Sequence, residues 1–174
     1  MKVLFLGGTG IISTACTRLA LQRGFDVAVL NRSQHESIAG ARQIVGDISA
    51  PGISSVLQNE HWDVVVDFIA FDTQAVEQRL ELFRGKTRQY LFISSASAYQ
   101  KPLTHSPVTE STPLVNPFWD YSRNKIAAED RLMRAYRDEG FPITIVRPSL
   151  TYGDTVIPLA VNSWTMSYTT IARL

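Results

Sequence analysis

The residues best suited to chemistry lie in Tyr121-Ser122-Arg123-Asn124-Lys125. Residues four apart on a helix share a face, so Tyr121 and Lys125 project together. A free phenol titrates near about 10, too high for a base at neutral pH. A neighbouring ammonium favours the phenolate and is expected to lower that value. Ser94, Ser95 and Ser97 follow an apolar run, and a serine hydroxyl there can bind the same substrate oxygen. Such a trio can take a proton from a carbinol or return one to a carbonyl oxygen. Alone, the tyrosine–lysine spacing is common, and an amphipathic surface helix produces it too.

The chain opens on Lys2-Val3-Leu4-Phe5-Leu6, an apolar run that reads as a buried strand. It breaks into Gly7-Gly8-Thr9-Gly10, and a helical pattern begins at Ile11. That helix is expected to turn Ile11, Ile12, Ala15, Leu19 and Cys16 inward. Gly24 ends it, and residues 25–30 read as a second strand. Strand, glycine turn, helix and strand form the unit that holds a dinucleotide, because a pyrophosphate needs free backbone N–H groups at a helix N-terminus and no side chain in the way. Gly7 and Gly10 keep the required spacing, and Ser13 falls where a third glycine often stands. With a nicotinamide beside them, the tyrosine, lysine and serine would move the proton while hydride moves to or from the ring.

The rest of the chain alternates in the same way. Strands are expected over 42–48, 62–70, 88–93 and 141–148, with helices over 50–59, 72–83 and 118–139. Residues 34–40 read as a short helix or loop, and 100–117 as a polar, proline-bearing loop over the carboxyl edge of the sheet. This alternation predicts an α/β fold with a doubly wound parallel sheet and right-handed crossovers. Ligands in such a sheet bind beyond the carboxyl ends of the strands, where 7–10, Asn31, Arg32, Asp47, 68–70 and 94–97 should gather. At the end of the second strand an acidic residue would bind the adenosine ribose hydroxyls. Asn31 is neutral and Arg32 can pair with a 2′-phosphate, so NADP is favoured over NAD, against a solvated loop charge as the plainer reading. Asp47 can accept from the adenine amino group or cap the following helix.

Composition narrows the class. A chain of 174 residues with 45% apolar and 19% charged residues suits one domain with a full core. A formal net charge of +1 argues against a binder that relies on phosphate contacts with nucleic acid. The helix over 118–139 interleaves its arginines with Glu129, Asp130, Asp138 and Glu139, the mark of a solvated face. Cys16 is the sole cysteine; core packing and a reducing, cytoplasmic setting are expected. No apolar run reaches membrane-spanning length. His35, His61 and His105 are scattered, so no metal site is expected. Phe118 and Trp119 either line a substrate pocket or simply pack.

In combination these segments resemble the extended short-chain dehydrogenase/reductases of the NAD-dependent epimerase/dehydratase family. The matching residues are Gly7-Gly8-Thr9-Gly10-Ile11-Ile12, Gly46-Asp47-Ile48, Ile93-Ser94-Ser95-Ala96-Ser97-Ala98-Tyr99, Tyr121-Ser122-Arg123-Asn124-Lys125 and the segment from Val146-Arg147-Pro148 to Gly153. The resemblance implies a Rossmann fold, Ser95, Tyr121 and Lys125 as catalytic residues, and Lys125 on the nicotinamide ribose. It also implies that Asp47 and Ile48 contact adenine and that Phe68, Ile69 and Ala70 line the cofactor. A sugar nucleotide or similar small molecule is the implied substrate, and a homodimer through the 118–139 helix the implied assembly. Ser13, Asn31-Arg32 and Asp67 depart from the family pattern. The Asn-Arg pair and Asp-Phe-Ile-Ala also resemble a subgroup with plastid RNA-associated proteins, which leaves a non-catalytic cofactor-binding or RNA-associated protein as the alternative. Family members are longer, with a carboxyl-terminal substrate domain. Residues 1–153 are therefore expected to form the NAD(P)-binding domain and 154–174 the start of a truncated substrate region.

Overall fold

The structure is a computed structural model, which describes residues 1–32, 37–57 and 60–153. The expected substrate region over 154–174 lies outside the described residues, as do residues 34–36 of the 34–40 segment and the end of the expected 50–59 helix. The strands are β1 (Lys2–Leu6), β2 (Asp26–Asn31), β3 (Arg42–Val45), β4 (Val64–Asp67), β5 (Tyr90–Ile93) and β6 (Ile143–Val146). The helices are α1 (Ile11–Gln22), α2 (Ile53–Leu57), α3 (Thr73–Phe83) and α4 (Asp120–Glu139). The six strands form one parallel sheet in the order β3-β2-β1-β4-β5-β6. The chain therefore winds outward from β1 in one direction and from β4 in the other. Their junction is the point at which ligands enter such sheets.

The central strands are apolar because both faces are covered. Leu4, Leu6 and Val65 are fully buried and meet Val76, Leu80 and Phe83 of α3 and Ala128, Leu132 and Ala135 of α4 in the larger core. Val3, Phe5, Val27 and Val29 point to the opposite face, towards α1. Asp72 starts α3 by accepting from the Ala75 N–H at 2.8 Å, and Gly140 ends α4 in a left-handed conformation.

The inward face of α1 differs from the expectation. Ser13, Thr17 and Ala20 are buried, whereas Ile11, Leu19, Ala15 and Cys16 are exposed and Ile12 is half-buried. Cys16 is thus a surface thiol. The cause is the close approach of helix to strand. A Cβ on Gly8 would stand 2.6 Å from Val29 Cγ1, and the Thr17 hydroxyl reaches the Gly8 carbonyl at 3.2 Å and the Ser13 carbonyl at 2.8 Å. Only small side chains fit that seam, so the larger apolar residues lie on the other side of the helix.

Candidate functional site

A cleft of about 880 Å³ opens at the carboxyl ends of β1 and β4. Its walls hold Gly7, Gly10, Ile11, Ile12, Asn31, Arg32, Asp47, Ile48, Phe68, Ile69, Ser95, Tyr121 and Lys125, which the sequence had scattered over more than a hundred positions. The glycine turn owes its shape to two contacts. Gly7 has φ +80°, and a Cβ there would lie 2.5 Å from Ile69 Cγ2. Gly10 has extended backbone and precedes α1, with its N–H donating to Ser13 Oγ at 2.8 Å. The first turn of α1 carries no acidic residue. Its N–H groups and positive dipole end are therefore open to an anion. These features fit the pyrophosphate of a dinucleotide: glycines at 7, 8 and 10 leave the backbone open, and Thr9 brings the turn's one side chain.

At the adenosine end, Arg32 is exposed just after β2 and Asn31 is half-buried. Asp47 is exposed and accepts from the Ser49 N–H at 2.8 Å, which stabilises a turn. It does not cap α2, because that helix begins only at Ile53. Ile48 is buried in the core beside the cleft. Phe68 stacks on Phe5 with centroids 5.9 Å apart.

Ala70 departs from the expected role. It is fully buried and its side chain does not line the cleft. Its carbonyl instead accepts from Lys125 Nζ at 2.7 Å, and the Ile93 carbonyl takes a second bond at 2.7 Å. Lys125 is 1% exposed, between the rings of Phe71 and Phe92 at 4.8 and 4.6 Å. Burial pushes its pKa down to about 8, against the opposing pull of Asp67, Glu129 and Asp72. The two carbonyls fix the ammonium at the floor of the cleft, one turn along α4 from Tyr121.

The three serines separate. Ser95 caps a single 3-10 turn, Ala96–Ala98, and faces the cleft beside Tyr121. Ser94 donates to Glu129, and Ser97 accepts from the Ser122 hydroxyl at 2.9 Å. Ser94 and Ser97 thus hold the β5 end against α4. Glu129 in turn takes the Arg147 guanidinium, with Nη2 at 2.6 Å, and Arg147 Nη1 donates to the Tyr99 hydroxyl at 3.1 Å. That ion pair joins α4 to the end of β6 and explains the Arg-Pro segment: Arg147 is structural, while Pro148, Ser149 and Thr151 line the cleft.

Tyr121 also corrects an expectation. Burial pushes its pKa above 10.0, and only the Ser95 hydroxyl pulls it back. Lys125 Nζ is 5.8 Å from the centre of the Tyr121 ring and gives its hydrogen bonds to two carbonyls rather than to the phenol. The resting phenol carries its proton. Of its aromatic neighbours, Trp119 was expected either to line a pocket or to pack, and Phe71 was missed. Phe71 and Trp119 flank Tyr121 with centroids at 6.2 and 4.8 Å; both keep one side exposed, and Phe118 is more exposed still. Neither periodicity nor motif spacing marks Phe71, which reaches the phenol only because β4 lies beside β5.

A parallel doubly wound sheet with a glycine turn at its switch point defines a dinucleotide-binding fold. Residues 3–164 match the model of the NAD dependent epimerase/dehydratase family, and the chain belongs to that family. It is 29% identical over 169 residues to UDP-glucose 4-epimerase of Lactobacillus helveticus, covering 84% of this chain and 51% of that protein. The chain thus spans about half the length of this curated relative. Among solved structures, UDP-glucuronic acid 4-epimerase from Bacillus cereus in complex with NAD is similar with a TM-score of 0.72 at 21% identity, over 88% of this chain and 57% of that one. Pal from Bacillus thuringiensis gives 0.77 at 23%, over 90% and 58%. dTDP-glucose 4,6-dehydratase from Bacillus anthracis, in complex with NAD, gives 0.74 at 22%, over 88% and 56%. Among the described residues no helix is long and apolar enough to cross a membrane.

Proposed function

We propose that this chain carries the dinucleotide-binding and proton-transfer half of an NAD(P)-dependent oxidoreductase of the epimerase/dehydratase type. The observation that carries the reading is that Ser95, Tyr121 and Lys125 share one cleft with the 7–10 turn. A bound dinucleotide supplies hydride transfer at its nicotinamide. Gly7, Gly10 and the first turn of α1 hold the pyrophosphate, with Asp47 and Ile48 at the adenine and Phe68 and Ile69 along the cofactor. Lys125 holds the nicotinamide ribose. Tyr121 gives its proton to a carbonyl oxygen or takes one from a carbinol, and Ser95 donates a second hydrogen bond to that oxygen. Protonation of the resting phenol suits the carbonyl-reducing direction.

The substrate proposed is the carbinol or carbonyl of a sugar nucleotide, supported by what the similar proteins act on by name. NADP is preferred to NAD, on the strength of Asn31 and Arg32. The test is turnover of sugar nucleotides by the full-length protein, wild type and Tyr121→Phe. The variant should lose about a hundred- to ten-thousand-fold in turnover with dinucleotide affinity little changed. Equal turnover in the two proteins would refute the role of Tyr121.

A further inference from the structure

Asp67 is the last residue of β4 and is fully buried, at a strand end that opens on the cleft. The sequence marks it only as a departure from the family pattern. Every lone-pair direction of its carboxylate is used. Oδ1 accepts from the N–H groups of Ile69 and Ala70, both at 2.8 Å. Oδ2 accepts from Arg79 Nε at 3.0 Å and from the Tyr90 hydroxyl at 2.8 Å. A carboxylate so placed is costly to bury unless all its partners are present. What it shapes is the 68–70 turn, and the product of that turn is the Ala70 carbonyl, which receives Lys125 Nζ at 2.7 Å.

We propose that Asp67 is the positioning residue for Lys125: its carboxylate folds the turn that presents the Ala70 carbonyl to the ammonium, and its negative charge keeps that ammonium in an otherwise apolar seat. The proposal rests on the reading that Lys125 serves the dinucleotide. Carbonyls and rings alone make a poor solvent for a cation. The charged and titratable groups around Lys125 come from each packed element. Asp67 ends β4, Asp72 and Arg79 belong to the start and body of α3, and Glu129 and Tyr121 lie on α4. Glu129 acts in the same direction less strongly, and its carboxylate is bonded to Arg147 Nη2 at 2.6 Å. Asp72 acts so too, as the weakest of the three, and its Oδ1 caps the Ala75 N–H rather than any part of the seat. Asp67 is the one whose bonds also build the seat, through the Ala70 amide on one side and the Ala70 carbonyl on the other. Burial pushes Lys125 down to about 8, and Asp67 is the strongest influence opposing that fall. Arg79, bonded to the same carboxylate, works against it and so sets how much of the field reaches Lys125.

The chain has four lysines, Lys2, Lys86, Lys101 and Lys125, so ¹³Cε-labelled lysine gives a spectrum in which Lys125→Met assigns the signal of interest. Its titration midpoint in the wild type is expected at about 8. Asp67→Asn keeps an acceptor for the turn and removes the charge, so the midpoint should fall by roughly one unit. Tyr90→Phe removes one hydrogen bond from the carboxylate and leaves its charge, so the midpoint should stay. Arg79→Gln leaves the field of Asp67 uncompensated, so the midpoint should rise. That opposite sign decides the matter if Asp67→Asn does not fold. An unmoved midpoint in a folded Asp67→Asn, or a fall in Arg79→Gln, overturns the proposal. NADH and NADPH fluorescence titrations of the same proteins form the second arm. If the wild type binds, the alkaline loss of affinity should shift to lower pH in Asp67→Asn by the same interval. A wild type that binds neither dinucleotide overturns the function proposed above, while the lysine titration still decides the role of Asp67.

Discussion

Lys125 makes a measurable contribution to how stability depends on pH. In the folded chain its pKa is about 8, against an ordinary 10.5. Between those values the unfolded chain holds the proton and the folded chain has released it. Stability then rises with pH, because the unfolded state binds more protons. The gap is worth about 3 kcal/mol at roughly 1.4 kcal/mol per unit, and the cost is fully present below pH 8. Tyr121 and Cys16, both raised by partial burial, act in the opposite direction at higher pH. A comparison with Lys125→Met removes them, since the variant keeps both groups. Urea unfolding of the two proteins at intervals from pH 7 to 10 should give a wild-type stability that climbs relative to the variant by up to about 3 kcal/mol. The loss of donors to the Ala70 and Ile93 carbonyls in the variant adds a constant offset with no pH dependence. Parallel curves across pH 8 to 10 would refute the view that the ammonium is held against its own desolvation.

Three further outcomes follow from the geometry. Gly7→Ala forces a side chain into φ +80° and against Ile69 Cγ2 at 2.5 Å, so it should cost about 2 kcal/mol in urea unfolding and weaken NADH and NADPH alike in fluorescence titration. Glu129→Gln leaves Arg147 without its buried carboxylate and should lower stability by about 3 kcal/mol, read as a fall in the urea midpoint. Arg32→Ala should weaken NADPH by about tenfold and leave NADH unchanged, as expected for loss of one charge-assisted contact to a 2′-phosphate. Equal effects on both dinucleotides would assign Arg32 to the solvated loop.

Strand and helix order was legible because most of the parallel strands are short apolar runs and the longer crossovers α1, α3 and α4 are 3.6-residue patterns closed by Gly24, Gly85 and Gly140. The 7–10 turn and the tyrosine–lysine pair were legible because their chemistry depends on local spacing. What lies between elements was not. The buried face of α1 was misread since hydrophobicity favours Ile11 and Leu19, while the deciding factor is a seam too narrow for them beside Gly8 and Val29. The pKa of Tyr121 was misread since proximity to Lys125 along the helix says nothing of the two carbonyls that claim the ammonium.

Sequence by itself determined the α/β class, the carboxyl-edge location of the cleft and the residue types that line it, because those follow from periodicity, glycine and local spacing. Tertiary structure alone decided that Ser94 is tied to Glu129, that Ala70 contributes a carbonyl rather than a wall, and that Asp67 stands behind Lys125. Each of these depends on which strands become neighbours. Hydrogen bonds between residues dozens of positions apart are set by packing, and no local pattern encodes them.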